Sequence, residues 1–171
     1  MTTDERAALE SLEERTAEVI RLLVVVSVGL ALLIDPELAH GRIVVVATLV
    51  AVTFGYALAL AVADRQGRRL LPPAVATGID SVLVLVGCGL TGGADSIMVA
   101  ALPLVVIAAA VRGGAVIGRL AALVVGIGFT AAAVLGADPG THPRDAWFAG
   151  AWWTGFLVAA AVLVGVLVKL L

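Results

Sequence analysis

Two stretches of this sequence place chemically capable residues in surroundings that otherwise read as lipid-soluble. The first is Asp80, inside the apolar run PPAVATGIDSVLVLVGCGL and flanked by Thr77 and Ser81. A carboxylate in a membrane helix costs on the order of 2.5–3.5 kcal/mol on insertion scales, so such residues face the bundle and find partners. Asp80 lies seven residues beyond Pro73, about 10 Å into the helix at 1.5 Å per residue. Arg119 enters a later apolar run from the same side at a similar depth. Matched depth predicts an Asp80–Arg119 pair. Two other readings stay open: snorkelling to the near surface, and a protonated Asp80 acting as a relay or switch.

The second stretch is LTGGADSIM, residues 90–98, between two apolar flanks. Gly92 and Gly93 allow positive φ and a tight reversal. Asp95 and Ser96 are suited to cap the helix that follows. A turn accounts for all of this. The same residue types describe a helix start able to accept a carbonyl or anion, so Thr91, Gly92, Gly93 and Ser96 are also candidate ligand contacts. The other candidates are thinner. His40 and His142 have carboxylates nearby in sequence but no fixed ligand spacing, and the expectation is no metal site. Trp152, Trp153 and Phe156 either wall a pocket for a flat ligand or pack as bulk. The single cysteine, Cys88, reads as a small buried hydrophobe. No HExxH, GxSxG, phosphate loop or nucleophile–base arrangement occurs, so the chain does not read as an enzyme.

The elements that must position these residues follow from composition. The chain has 171 residues, is 61% hydrophobic and 14% charged, and has a mean hydropathy of +1.12. Soluble domains lie nearer 45–50% apolar with about a quarter charged. Six apolar segments appear, at about residues 19–34, 43–63, 73–90, 97–111, 115–136 and 146–168. Their continuous runs lack the period-two alternation of a barrel, so every backbone polar group must be satisfied within helices. The expected fold is all-α: a polytopic membrane protein with six transmembrane helices (22–171) and a cytoplasmic N-terminal amphipathic helix (1–21). A span takes roughly 20 residues; segments two, five and six meet this comfortably, and segments one and four are short.

Nine of the eleven Lys and Arg residues fall at the N-terminus, the 2–3 loop, the 4–5 connection and the C-terminal end; only Arg42 and Arg144 fall on the other side. The positive-inside rule therefore puts both termini in the cytoplasm and the TGG turn outside. The acidic N-terminus lacks the basic region of a signal peptide. Leu9, Leu12, Thr16, Val19 and Leu23 form an a/d seam, and Thr2 and Glu5 have capping-box spacing. The seam implies a protein contact, with a homodimer as the simplest form. No basic patch points to nucleic acid. Close-approach faces are expected at Gly89–Gly93 and at Gly126 and Gly128.

The order of an acidic residue early in span three, TGG at its outer end, a polar residue, then a Pro-containing span ending near Arg resembles the six-span membrane sensory region of bacterial sensor histidine kinases of the redox- or quinone-responsive type. Thr91, Gly92, Gly93 and Ser96 match that pattern, while Ile97 and Met98 stand where Pro and Phe would be expected. The resemblance implies a multi-pass protein of the bacterial inner membrane, acting in a two-component system as a signal-transducing dimer. It also implies a quinone-like apolar ligand, Asp80 as a coupling residue, and a kinase or other cytoplasmic output that is not within these residues. Two alternatives come from other classes: a substrate-binding membrane subunit of a transporter, and a structural membrane subunit.

Overall fold

The computed structural model describes residues 19, 21–39, 41–66, 68, 70–137, 140 and 142–170. Among them every regular element is helical. Six helices follow one another: α1 (Arg21–Ile34), α2 (Ile43–Arg65), α3 (Pro73–Leu90), α4 (Ile97–Val111), α5 (Gly114–Leu135) and α6 (Pro143–Leu170). They coincide with the six apolar segments to within a few residues. Short 3-10 turns cover Pro36–Ala39 and Gly93–Asp95, and α4 opens with one at Ile97–Ala101. The seam residues Leu9, Leu12 and Thr16, the pair Thr2 and Glu5, and His40 lie outside the described residues.

Three helices are long and apolar enough to cross a membrane: α2, α5 and Pro143–Leu167 of α6. The other three are shorter apolar helices. Only 11% of the α2 window is buried, and Val44, Val52 and Leu58 stand exposed. A long helix that is apolar all round and unburied suits hydrocarbon surroundings, not water. Hydroxyls inside the helices fit the same solvent. Thr48, Thr53, Ser81, Thr130 and Thr154 each donate to the carbonyl four residues earlier, at 2.7–2.9 Å. Each is thereby satisfied within its own helix.

The core is centred on α5. Its buried positions are Gly118, Ala122, Val125–Gly126, Phe129 and Ala132–Ala133, at steps of three and four residues, which lays one stripe along the helix. α5 and α6 pack antiparallel through small residues. A Cβ on Gly126 would stand 2.5 Å from the Thr154 hydroxyl oxygen, one on Gly150 2.5 Å from that of Thr130, and one on Gly165 2.5 Å from the Ala115 Cβ. The register is constant, each step along one helix matching an equal step back along the other. Each threonine thus sits in the gap left by the partner helix's glycine. In lipid, where no hydrophobic drive holds helices together, such close packing is the main cohesive force.

α4 and α5 form a tight hairpin about Gly114, whose φ of 75° and ψ of −179° are open in practice only to glycine. The arms approach so closely that a Cβ on Gly118 would meet the Ala110 Cβ at 2.5 Å. α3 leans on α5 where Leu85 fills the space beside Gly128. Gly89 faces Ala132, and Gly93 lies against the Ala133 carbonyl. The small-residue faces expected at Gly89–Gly93, Gly126 and Gly128 are thus contact faces.

Candidate functional site

Asp80 has its partner on α1. The Arg21 guanidinium donates Nε–H to Asp80 Oδ1 at 2.9 Å and a terminal N–H to Oδ2 at 2.6 Å, a bidentate pair. The side chains are only 9% and 18% exposed. Arg21 also lies over the Tyr56 ring, 5.6 Å from its centroid, and the Tyr56 hydroxyl donates to the Ala76 carbonyl at 3.5 Å. One polar clamp thus joins α1, α2 and α3. The expected Asp80–Arg119 pair is corrected by this geometry. Arg119 sits on the exposed side of α5 and donates Nε–H to the Ala115 carbonyl at 3.0 Å. Asp80 meets Arg21 of α1, while Arg119 is exposed on α5 and bonded within its own helix.

The clamp stands at one end of a cleft between α1, α2, α3 and α4. The cleft is small, about 70 Å³, and partly open. Apart from Arg21, Asp80 and Thr53, its lining is aliphatic or Met: Val24, Val25 and Val28 of α1, Val50 of α2, Leu83 and Val84 of α3, and Met98, Ala101, Leu104, Val105 and Ala108 of α4. The Thr53 hydroxyl is engaged by the Leu49 carbonyl, so Arg21 and Asp80 are the charged groups of the lining. A second, more open groove runs between α1 and α4, past Leu23, Ser27, Ile97 and Ala100. α1 therefore has unfilled space on two sides.

The TGG turn lies away from the clamp, beyond Met98. Thr91 and Ser96 are 2% and 5% exposed, the two buried polar residues of the described chain. The Thr91 hydroxyl donates to the Gly87 carbonyl at 2.8 Å, and the Thr91 and Ser96 hydroxyls bond each other. Ser96 Oγ accepts the Met98 N–H at 3.1 Å, the expected cap, while Asp95 is exposed. Gly92 and Gly93 have φ of 97° and 61°, as a reversal of this kind requires. Gly93 is buried against the end of α5. The four residues are therefore brought together as a closed knot whose hydroxyls already have protein partners. The Met98 side chain occupies the place a Cβ on Gly87 would take, and it also lines the cleft. The knot thus adjoins the cleft through one side chain.

No protein-family profile, curated protein or solved structure matches the chain.

Of the remaining candidates, Cys88 is wholly buried in the core as a free thiol. Trp153 packs edge-on against Phe129 and Phe156, with ring centroids at 6.3 and 5.5 Å. Trp152 is 66% exposed and lines neither of the two clefts described above. Tyr56 is the site residue that sequence reasoning passed over. The available signal was its being the single tyrosine, placed within an otherwise aliphatic span.

Proposed function

We propose that this chain is a membrane-embedded sensory module that converts occupancy of the cleft, or a change in the bilayer, into movement of α1. The observation that carries the reading is the Arg21–Asp80 pair closing an unfilled apolar cleft. All six helices span the membrane in this reading, both ends of the bundle face the cytoplasm, and the TGG turn faces outward, as the distribution of Lys and Arg favours. The membrane is the bacterial plasma membrane, and a second copy and a cytoplasmic output complete the signalling unit. The resemblance to sensor histidine kinase membrane regions supports the same class. α1 is the suitable moving part because two clefts adjoin it and a polar clamp ties its charge to α3 and α2. The α5–α6 pair is the suitable frame because interlocked glycine and threonine positions leave it no room to slide.

The test uses the full chain in nanodiscs, with spin labels at Leu30 of α1 and Leu135 of α5, both exposed. Pulsed dipolar spectroscopy reads the distance between them while lipid chain length and monoolein content are varied. A sensor shows two distance populations whose ratio shifts, and Asp80→Asn biases that ratio without any stimulus. A single distance, unmoved by every bilayer and by Asp80→Asn, overturns the reading in favour of a structural subunit.

A further inference from the structure

We infer that α1 pairs in parallel with the α1 of a second copy of this chain, along a seam of Val19, Leu23, Val26, Leu30 and Leu33. This assigns to a named face the second copy that the sensory reading calls for, and it rests on that reading for the placement of α1 in the membrane.

α1 carries two stripes. Arg21, Val25, Val28 and Leu32, at steps of four, three and four, turn toward the rest of the bundle: the three apolar ones are buried, and Arg21 meets Asp80. Val19, just ahead of the helix, then Leu23, Val26, Leu30 and Leu33, at steps of four and three, point away from it, each more than half exposed. Written as a heptad, the first set takes positions c and f and the second takes a and d. At about 100° per residue the two stripes lie on nearly opposite sides.

The outer residues of α2 and α5 are exposed as well and suit lipid. The α1 seam differs in where it leads. In the sequence the same alternation runs back through Thr16, Leu12 and Leu9, among Glu10, Glu13, Glu14, Arg15 and Glu18. Hydrocarbon does not cover an apolar stripe in so charged a stretch, and its acids oppose an anionic leaflet. A partner helix covers it instead, and an unbroken seam from Leu9 to Leu33 asks for one partner along its length. A second copy meets that need by symmetry. Two copies in one bilayer share one orientation, so their α1 helices run parallel, and positions a and d of each meet the same positions of the other.

The groove between α1 and α4 accommodates this pairing. It offers about 440 Å³ beside Leu23 and Ser27, where the small Ala100 and Ala101 side chains of α4 leave room. Ser27 takes position e, and in a parallel pair position g of one helix lies beside e of the other. The second copy's Leu22 therefore falls over this groove.

The experiment is oxidative cross-linking of single-cysteine additions to the full chain in native membranes; Cys88 is buried, and the unsubstituted chain is the control. Leu12→Cys, Leu23→Cys, Val26→Cys and Leu33→Cys are expected to give a product of the mass of two copies. Val24→Cys and Ala31→Cys, off the seam on α1, and the exposed Val52→Cys of α2 and Ile127→Cys of α5 are expected to give little. In liposomes of the purified chain, energy transfer between labelled copies reads the pairing itself. Leu23→Ala with Leu30→Ala weakens it by roughly tenfold or more, as truncation of packed interface side chains does, whereas Val52→Ala with Leu58→Ala leaves it unchanged. Seam positions that cross-link no better than Val52 and Ile127, products of another mass, or cross-links at Leu12 alone each overturn the inference. So does equal weakening by the two alanine pairs. Because Leu30 lies on the seam, its distance to Leu135 is read on labelled chains diluted with unlabelled ones. Paired chains with a motionless α1 overturn the sensory reading and leave this one standing; a moving α1 in unpaired chains does the reverse.

Discussion

Breaking the Arg21–Asp80 pair from one side only should be far more damaging than removing it whole. The two contacts, at 2.9 and 2.6 Å, join side chains that are 9% and 18% exposed. Unit charges about 4 Å apart attract by roughly 4 kcal/mol at an effective dielectric of ~20. Arg21→Met therefore forfeits that attraction and leaves Asp80 desolvated, and Asp80→Leu removes the carboxylate that takes two hydrogen bonds from Arg21. Each single change is expected to destabilise the bundle by about 3–5 kcal/mol, the usual range for uncompensated buried charge. The double variant replaces two charges by two apolar groups in an apolar cleft and should recover most of the loss. The coupling is then several kcal/mol, above the roughly 0.3–0.5 kcal/mol scatter of independent sites. Reversible unfolding in mixed micelles, followed by fluorescence of Trp153 in its contact with Phe129, measures all four forms. Additive losses refute the reasoning. So does a larger coupling of Asp80 to Arg119→Met than to Arg21→Met, which would restore the pairing expected from depth.

Three further outcomes follow from the packing and the charges. Gly126→Ala should destabilise the α5–α6 pair by about 1–3 kcal/mol through overpacking against Thr154, whereas Gly155→Ala, with open space around it, should be neutral or slightly stabilising in the same unfolding assay. Ser96→Ala should cost about 1–3 kcal/mol, because the Met98 N–H loses its side-chain acceptor and the buried Thr91 hydroxyl keeps only the Gly87 carbonyl; Ser96→Thr, which keeps the oxygen, should lose less. In intact cells an impermeant maleimide should label Glu37→Cys and spare Gln66→Cys, both exposed positions; labelling of Gln66→Cys from outside reverses the proposed orientation.

The helices were legible because lipid-like sequence leaves few choices. A run such as RIVVVATLVAV cannot satisfy its backbone in hydrocarbon except by helix, and charged or glycine-rich breaks such as DPE, DRQGRR and RGG mark the ends. Periodicity gives depth along an axis but not which neighbour a face meets. That is why matched depth points Asp80 toward Arg119, whereas the partner it meets is Arg21. The same gap hid the burial of the TGG turn. Two glycines and two hydroxyls look like an exposed reversal until the end of α5 is seen to be Ala132, Ala133 and Gly136, small enough for the turn to settle onto it. A Cβ on Gly136 would stand 2.6 Å from the Gly89 carbonyl, so this seat tolerates no bulk. The run of alanines closing segment five held that information, but only a tertiary contact gives it meaning.

The division between a tight half and a loose half of the bundle has an energetic consequence. In water, an apolar helix such as α1 would be pressed onto its neighbours by the cost of exposing Leu23, Leu30 and Leu33, which are 60%, 56% and 81% exposed. In hydrocarbon that force vanishes, and only packing and polar contacts remain. α5 and α6 have dense packing throughout their contact. α1 has Val25, Val28 and Leu32 buried, clefts on two sides, and the clamp to Asp80. Its place is thus set by terms of a few kcal/mol concentrated at one end, the size that a bound molecule or an altered bilayer can match. An element held that way is where a small input can change the arrangement, whereas the same input applied to the α5–α6 contact would meet backbone-to-side-chain distances with no slack.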